Sequence, residues 1–176
     1  LEQNTSMITA LQQSPAVDTI AVGMASGMVH LINLRQDVRL FGLKHCTKQN
    51  HPVKITSLSF RTDGSAMRYN IAPLAVGRGD GTISIWDLSP QEDGGGRTLL
   101  CEMDSVHPGG VAKLSYLPQE PLLLSTGTHS NSVLLHIFDN PDHSGRLLRQ
   151  RKGHMSPPKQ IRYLNPGTLS VNAADG

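Results

Sequence analysis

Cysteine is nearly missing from this sequence: Cys46 and Cys101 are the only two in 176 residues. Two thiols fall short of a disulfide framework and of a four-ligand zinc set, and free thiols suit a reducing compartment, so an intracellular chain is expected. No apolar run approaches the ~20 residues of a membrane-spanning helix. The opening LEQNTSMITA has neither the basic start nor the apolar stretch of a secretory leader, so no membrane partner is expected. A strong charge of one sign is also missing: the net charge is +2, and attraction to a polyanion then requires local clusters. No Gly-x-Ser-x-Gly elbow, His-Glu-x-x-His helix or distinct pair of carboxylates supplies an activated nucleophile or an acid and base. The chain is therefore expected to be no enzyme, with no metal, no cofactor and no small-molecule substrate.

What is abundant is the punctuation of short strands, with Gly 17 and Pro 11 against only one Trp, three Tyr and three Phe. ITSLSFRTDG from Ile55, VAKLSYLPQE from Val111 and KQIRYLNPGT from Lys159 share an alternating apolar pattern that runs into a turn, and ITALQQSPAV from Ile8 follows it more loosely. Aligned on Leu11, Leu58, Leu114 and Ile161, the repeats are spaced by 47, 56 and 47 residues. These spacings lie just above the ~40–45 residues of a four-stranded propeller blade, and polar turns such as SPQEDGGG account for the excess.

Each repeat continues with a hairpin, as in IAPLAVGRGDGTISIWDL, and closes on a more polar fourth strand, as in SGRLLRQRKG. The fold class expected is all-β. Part of one β-propeller spans 1–176, with three nearly complete blades at about 7–45, 53–104 and 109–152 and a truncated blade over 159–176. Closed propellers typically need 4–8 blades, so the chain is expected to be a piece of a longer protein.

Trp86-Asp87 ends the third strand of the second unit and Gly153-His154 opens the last. These pairs resemble the marks of the WD-repeat family. The resemblance implies a hydrogen-bonded network of a turn Asp, the His, a strand Ser or Thr and the Trp, in which Asp80, His51 and Trp86 match three places. Ala75 and Val76 stand where the hydroxyl is expected, and Ile32 and His136 replace Trp in the neighbouring units.

A narrower match is carried by ITALQQSPAVD (Ile8 to Asp18), SFRTDG (Ser59 to Gly64), EPLL (Glu120 to Leu123), GRLLR (Gly145 to Arg149) and IRY (Ile161 to Tyr163), in that order. Together they resemble the WD-repeat subunits of the UtpB subcomplex of the small-subunit processome, the nucleolar U-three snoRNA-associated family. That resemblance implies a scaffold in pre-rRNA processing and 40S ribosomal subunit biogenesis. It would work in the nucleolus, contact other UtpB WD-repeat subunits within the pre-ribosomal particle, and lie near pre-rRNA and box C/D snoRNA. A ubiquitin-ligase substrate receptor is the competing WD-repeat class; its common Arg two positions after the Trp-Asp pair is Ser89 here.

Two basic stretches are candidate contacts for a partner or RNA. Arg146, Arg149, Arg151 and Lys152 fall on an outermost strand, where Lys and Arg also serve to discourage unwanted strand pairing. Lys44, Lys48 and Lys54 lie in the connection between the first two units. Arg78, at the start of the Gly79-Asp80-Gly81 turn, is carried with them. That turn precedes a strand and not a helix, so its glycines suit a hairpin and not a phosphate cradle. Phe60, Tyr116 and Tyr163 recur on the same side of each first strand as Leu58, Leu114 and Ile161, which predicts core packing.

Overall fold

A computed structural model describes residues 6–15, 18–44, 51–62, 72–89, 97–140, 144–152, 158–165 and 168–173. Among them lie fourteen strands in four antiparallel sheets. The first sheet contains β1 (Ile8–Gln13), β2 (Thr19–Met24), β3 (Met28–Asn33) and β4 (Val38–Lys44). The second contains β5 (Ile55–Phe60), β6 (Leu74–Arg78), β7 (Ile83–Asp87) and β8 (Thr98–Met103). The third contains β9 (Val111–Tyr116), β10 (Leu122–Gly127), β11 (Ser132–Ile137) and β12 (Arg146–Lys152). The hairpin of β13 (Pro158–Asn165) and β14 (Thr168–Ala173) forms the fourth. Strand order follows chain order in every sheet, and the first strands β1, β5, β9 and β13 run side by side from one sheet to the next. This is a partial β-propeller, with each sheet a blade.

The period of two in the side chains explains how a blade serves two neighbours at once. Along β6, Leu74 and Val76 join the core between the first and second blades, with Ala21, Val29 and Leu31, while Ala75 points into the core shared with the third. Along β7, Trp86 joins the first core, and Ile83 and Ile85 join the second. Leu123 and Leu124 of β10 likewise separate into the second and third cores. Leu31, Ile55, Leu74, Ile83, Leu114 and Leu123 are essentially solvent-free, each contributing ~1.5–3 kcal/mol by burial. Phe60 and Tyr116 are buried in successive cores beside Leu58 and Leu114. The Tyr163 side chain lies outside the described residues.

The inner strands present a second problem, since each is hydrogen-bonded to a sheet partner along one edge only. Neighbouring hydroxyls meet part of that need. Ser57 Oγ accepts from the Leu114 amide at 2.8 Å and Ser59 Oγ from the Tyr116 amide at 2.9 Å. On the other side, the Thr9 hydroxyl donates to the Ile55 carbonyl at 2.6 Å. The seams between blades are thus polar at the inner strands and apolar across the faces.

Hairpin turns set the spacing from blade to blade. Gly27 and Gly81, the glycines of the β2–β3 and β6–β7 turns, have φ of +81° and +91°, a region that favours glycine. A Cβ on Gly27 would lie 2.9 Å from the Val53 carbonyl oxygen, and one on Gly81 would run into the His107 carbonyl. Each turn therefore rests on the segment that leads into the next blade.

Candidate interaction surface

The side chains that brace the loop-bearing rim sit where first, second and third strands meet. In the third blade, His107 and His136 both present Nε2 to Ser125 Oγ, at 2.8 Å and 3.1 Å. All three are buried, at 1%, 3% and 0% exposure. Burial pushes the His136 pKa down to about 4; for His107, burial and then the neighbouring His136 do the same, also to about 4. One hydroxyl can accept from one neutral imidazole and donate to the other, so two uncharged rings of opposite tautomer satisfy the site.

The second blade builds the same brace from other residues. Ser84 Oγ accepts from Trp86 Nε1 at 3.0 Å and from Arg78 Nη2 at 3.0 Å. Arg78 is 2% exposed, so the structure places this cation in the interior and not among surface contacts. It ends β6 directly opposite Ile55, beneath the entry to the next blade, where Gly127 stands in the third blade opposite Val111. Burial holds the Arg78 pKa below its ordinary value, with Glu102 and Asp80 acting in the other direction. Its Nη1 has no hydrogen-bond partner among the described residues.

Of the other residues matched to the WD-type network, exposed Asp80 accepts from the Thr82 amide at 2.9 Å, closing its own turn. Asp87 accepts from the Ser89 amide at 2.9 Å just past β7. His51 is exposed, four residues before Ile55, as buried His107 is four before Val111. Gly153 and His154 lie outside the described residues. The expected Asp80, His51 and Trp86 thus include one buried member, and the brace is completed by Ser84 and Arg78. Sequence reasoning passed over Ser84, Ser125 and His107. The equal spacing of His51 and His107 from their strands was the available signal for the last.

The candidate contact residues separate cleanly by exposure. Lys44 and Lys54 are exposed at either end of the connection between the first two blades, whereas Lys48 lies outside the described residues. Arg146, Arg149, Arg151 and Lys152 are all exposed on β12, and Arg146 makes an ion pair with Asp139 at 2.9 Å. With both partners largely in water, that pair adds little to stability. Lys152 also borders a cleft of about 400 Å³ lined by Pro108, His129, Ser130, Asn131 and Ser132. The cleft has hydroxyl, amide and cationic groups at its wall and opens beside the β10–β11 turn.

Comparison with known proteins places this arrangement. The chain resembles a chain in the crystal structure of the mitotic checkpoint complex with a TM-score of 0.75 at 14% identity, covering 97% of this chain and 47% of that one. It resembles the RRP9 WD40 repeats with a TM-score of 0.65 at 18% identity, covering 90% and 42%. At these identities the likeness concerns the WD40 propeller fold alone. By sequence, it is 38% identical over 167 residues to human WD repeat-containing protein 36, covering 95% of this chain and 17% of that protein. It is 33% identical over 156 residues to the U3 small nucleolar RNA-associated protein 21 homolog of Schizosaccharomyces pombe, covering 89% and 15%. The chain spans about one sixth of the length of these relatives. The model of the WDR36/Utp21 first beta-propeller matches residues 1–139. With the family model matching residues 1–139 and 38% identity across 95% of the chain, the chain belongs to the WDR36/Utp21 first beta-propeller family.

Proposed function

We propose that the chain is a non-enzymatic scaffold of the small-subunit processome, acting in pre-rRNA processing and 40S subunit biogenesis in the nucleolus. Residues 1–176 contribute part of one propeller to it. The observation that carries the reading is the family match over residues 1–139, together with relatives named for their association with U3 small nucleolar RNA. A propeller suits the role because its rigid blades hold many loops at fixed spacing, and loops on a rigid frame are where partners are recognised.

The finer partners in this reading are other WD-repeat subunits of the UtpB subcomplex, with pre-rRNA or box C/D guide RNA met through Lys44, Lys48 and Lys54. Lys44 and Lys54 stand exposed at the rim, where cations release counterions on meeting phosphate. Affinity purification of the intact protein is expected to recover UtpB WD-repeat subunits and box C/D RNA; recovery of neither overturns the reading. Ultraviolet crosslinking of the recovered RNA is expected to weaken in a Lys44→Glu/Lys54→Glu variant, and an unchanged crosslink removes the RNA contact while leaving the scaffold in place.

A further inference from the structure

The third blade draws one member of its brace from the connection between blades, and the second blade does not. His107, in residues 104–110, reaches inward to Ser125. There is room for it because β10 ends on Gly127: a Cβ there would stand 2.9 Å from His107 Nδ1 and 3.0 Å from His107 Cβ. Arg78 holds the equivalent place at the end of β6, opposite Ile55 as Gly127 is opposite Val111. It carries that Cβ, and its guanidinium donates to the Ser84 hydroxyl at 3.0 Å. His51, which precedes Ile55 by as many residues as His107 precedes Val111, is exposed where His107 is buried. Both sheets that flank this connection have all four strands.

The same connection brings two lysines together. Lys44 pairs with Met28, the residue after Gly27, and the Val53 carbonyl oxygen lies 2.9 Å from where a Gly27 Cβ would be. Its two ends therefore meet at the Gly27 turn, with Lys44, His51 and Lys54 all exposed. The Lys54 carbonyl accepts from the Gly79 amide at 2.9 Å, which ties this end to the turn of the second blade. Residues 104–110 offer no such cluster, since they contain Asp104 and no Lys or Arg, and their His is buried.

We propose that Arg78 holds His51 out of the second blade's brace, so that the imidazole joins Lys44 and Lys54 in a contact with RNA phosphates. This rests on the RNA contact proposed above and adds to it a third contact residue and the side chain that keeps it at the surface. An imidazole presents an N–H donor to a phosphate oxygen in either charge state, and the two ammonium groups release counterions. Phosphate contacts carry no base preference, so the ligand class is RNA irrespective of sequence. Arg78, being buried, acts through His51 as a positioning residue.

The probe is a fluorescent 12-nucleotide oligouridylate, titrated into the intact protein and followed by anisotropy. His51→Ala is expected to weaken binding about threefold or more with an unchanged melting temperature, and His51→Gln, which keeps an N–H donor, to recover part of the loss. Arg78→Gly removes the blocking Cβ and lets the imidazole turn inward, whereas Arg78→Ala keeps it. Binding is therefore expected to fall to the His51→Ala level in the glycine variant and to stay at the native level in the alanine variant. Adding His51→Ala to Arg78→Gly is expected to lower its melting temperature further. Should the glycine variant not fold, His51→Ala and Arg78→Ala decide alone. A lower melting temperature on His51→Ala in the native background, or undiminished binding in that variant while Lys44→Glu/Lys54→Glu weakens it, overturns the proposal and leaves the RNA contact standing. Undiminished binding in the lysine variant as well marks the failure of the RNA reading itself, and tighter binding of a 12-residue polyglutamate overturns both.

Discussion

Ser84 faces Val76 directly across the β6–β7 pair, and in the equivalent pair of the third blade Leu134 faces Ser125. The hydroxyl that ties the blade together has changed strands, with an aliphatic residue taking the vacated side. Trp86 and His136 hold equivalent places on the third strand and reach the hydroxyl from there in both blades. Arg78, at the end of β6, and His107, in the segment that leads into β9, complete the contact.

Arg78 is therefore a structural residue. Arg78→Ala is expected to destabilise by about 3 kcal/mol, because it removes a charged hydrogen bond and leaves a hole beneath the rim. Urea unfolding measures this. Arg78→Lys is expected to restore only part of the loss, since an ammonium lacks the planar fork that reaches Ser84. RNA or partner binding by whatever protein remains folded should be unchanged; a binding defect without a stability defect would contradict the assignment.

The paired histidines make stability depend on pH. Their folded pKa values near 4 lie below the ordinary 6.5 of a free imidazole. The unfolded chain therefore takes up protons first as the pH falls. The contribution is complete above pH ~6.5 and is lost as the pH drops toward ~4, amounting to a few kcal/mol in order of magnitude. Unfolding free energy measured from pH 7.5 to 4 is expected to show this decline. A His107→Gln/His136→Gln protein should be less stable at neutral pH but flatter across that window, and an undiminished slope would refute the assignment.

The seam hydroxyls carry a separate prediction. Ser57→Ala and Ser59→Ala leave the amides of Leu114 and Tyr116 without their partners in buried positions. Each is expected to cost about 1–3 kcal/mol. Amide hydrogen exchange at Leu114 should accelerate in the first variant and at Tyr116 in the second; protection that persists in both would show that these bonds contribute nothing.

Gly81→Ala tests the turn. At φ +91°, with the His107 carbonyl where the new methyl would go, the substitution is strained by both conformation and contact. A loss of at least 1–2 kcal/mol is expected. Gly79→Ala is the control, since a Cβ there meets nothing closer than 3.7 Å, and an equal loss in the two would remove the steric explanation.

The architecture was legible because its causes are local and periodic. Leu58 with Phe60 and Leu114 with Tyr116 show the alternation of a two-sided blade, and the Asp80-Gly81 turn shows its hairpin. The rim brace was only half legible. Trp86 and the replacement at His136 were visible from register, but the hydroxyl was sought at Ala75 and Val76, on the second strand, and Ser84 supplies it from the third. Arg78 was misread for a related reason. A cation beside a Gly-Asp-Gly turn has the local character of a surface residue, and only the approach of the next blade, a contact between distant parts of the chain, encloses it.

The turns at Gly27 and Gly81 have one more consequence. Each presses main chain against main chain, where no rotamer can yield, so the angle between successive sheets is dictated by its predecessor and passed along in sequence order. A residue inserted at Asp80–Thr82 would not be absorbed at the insertion point. It would swing every later loop as a block, and a partner that grips loops from two blades would register the error far from where it was made.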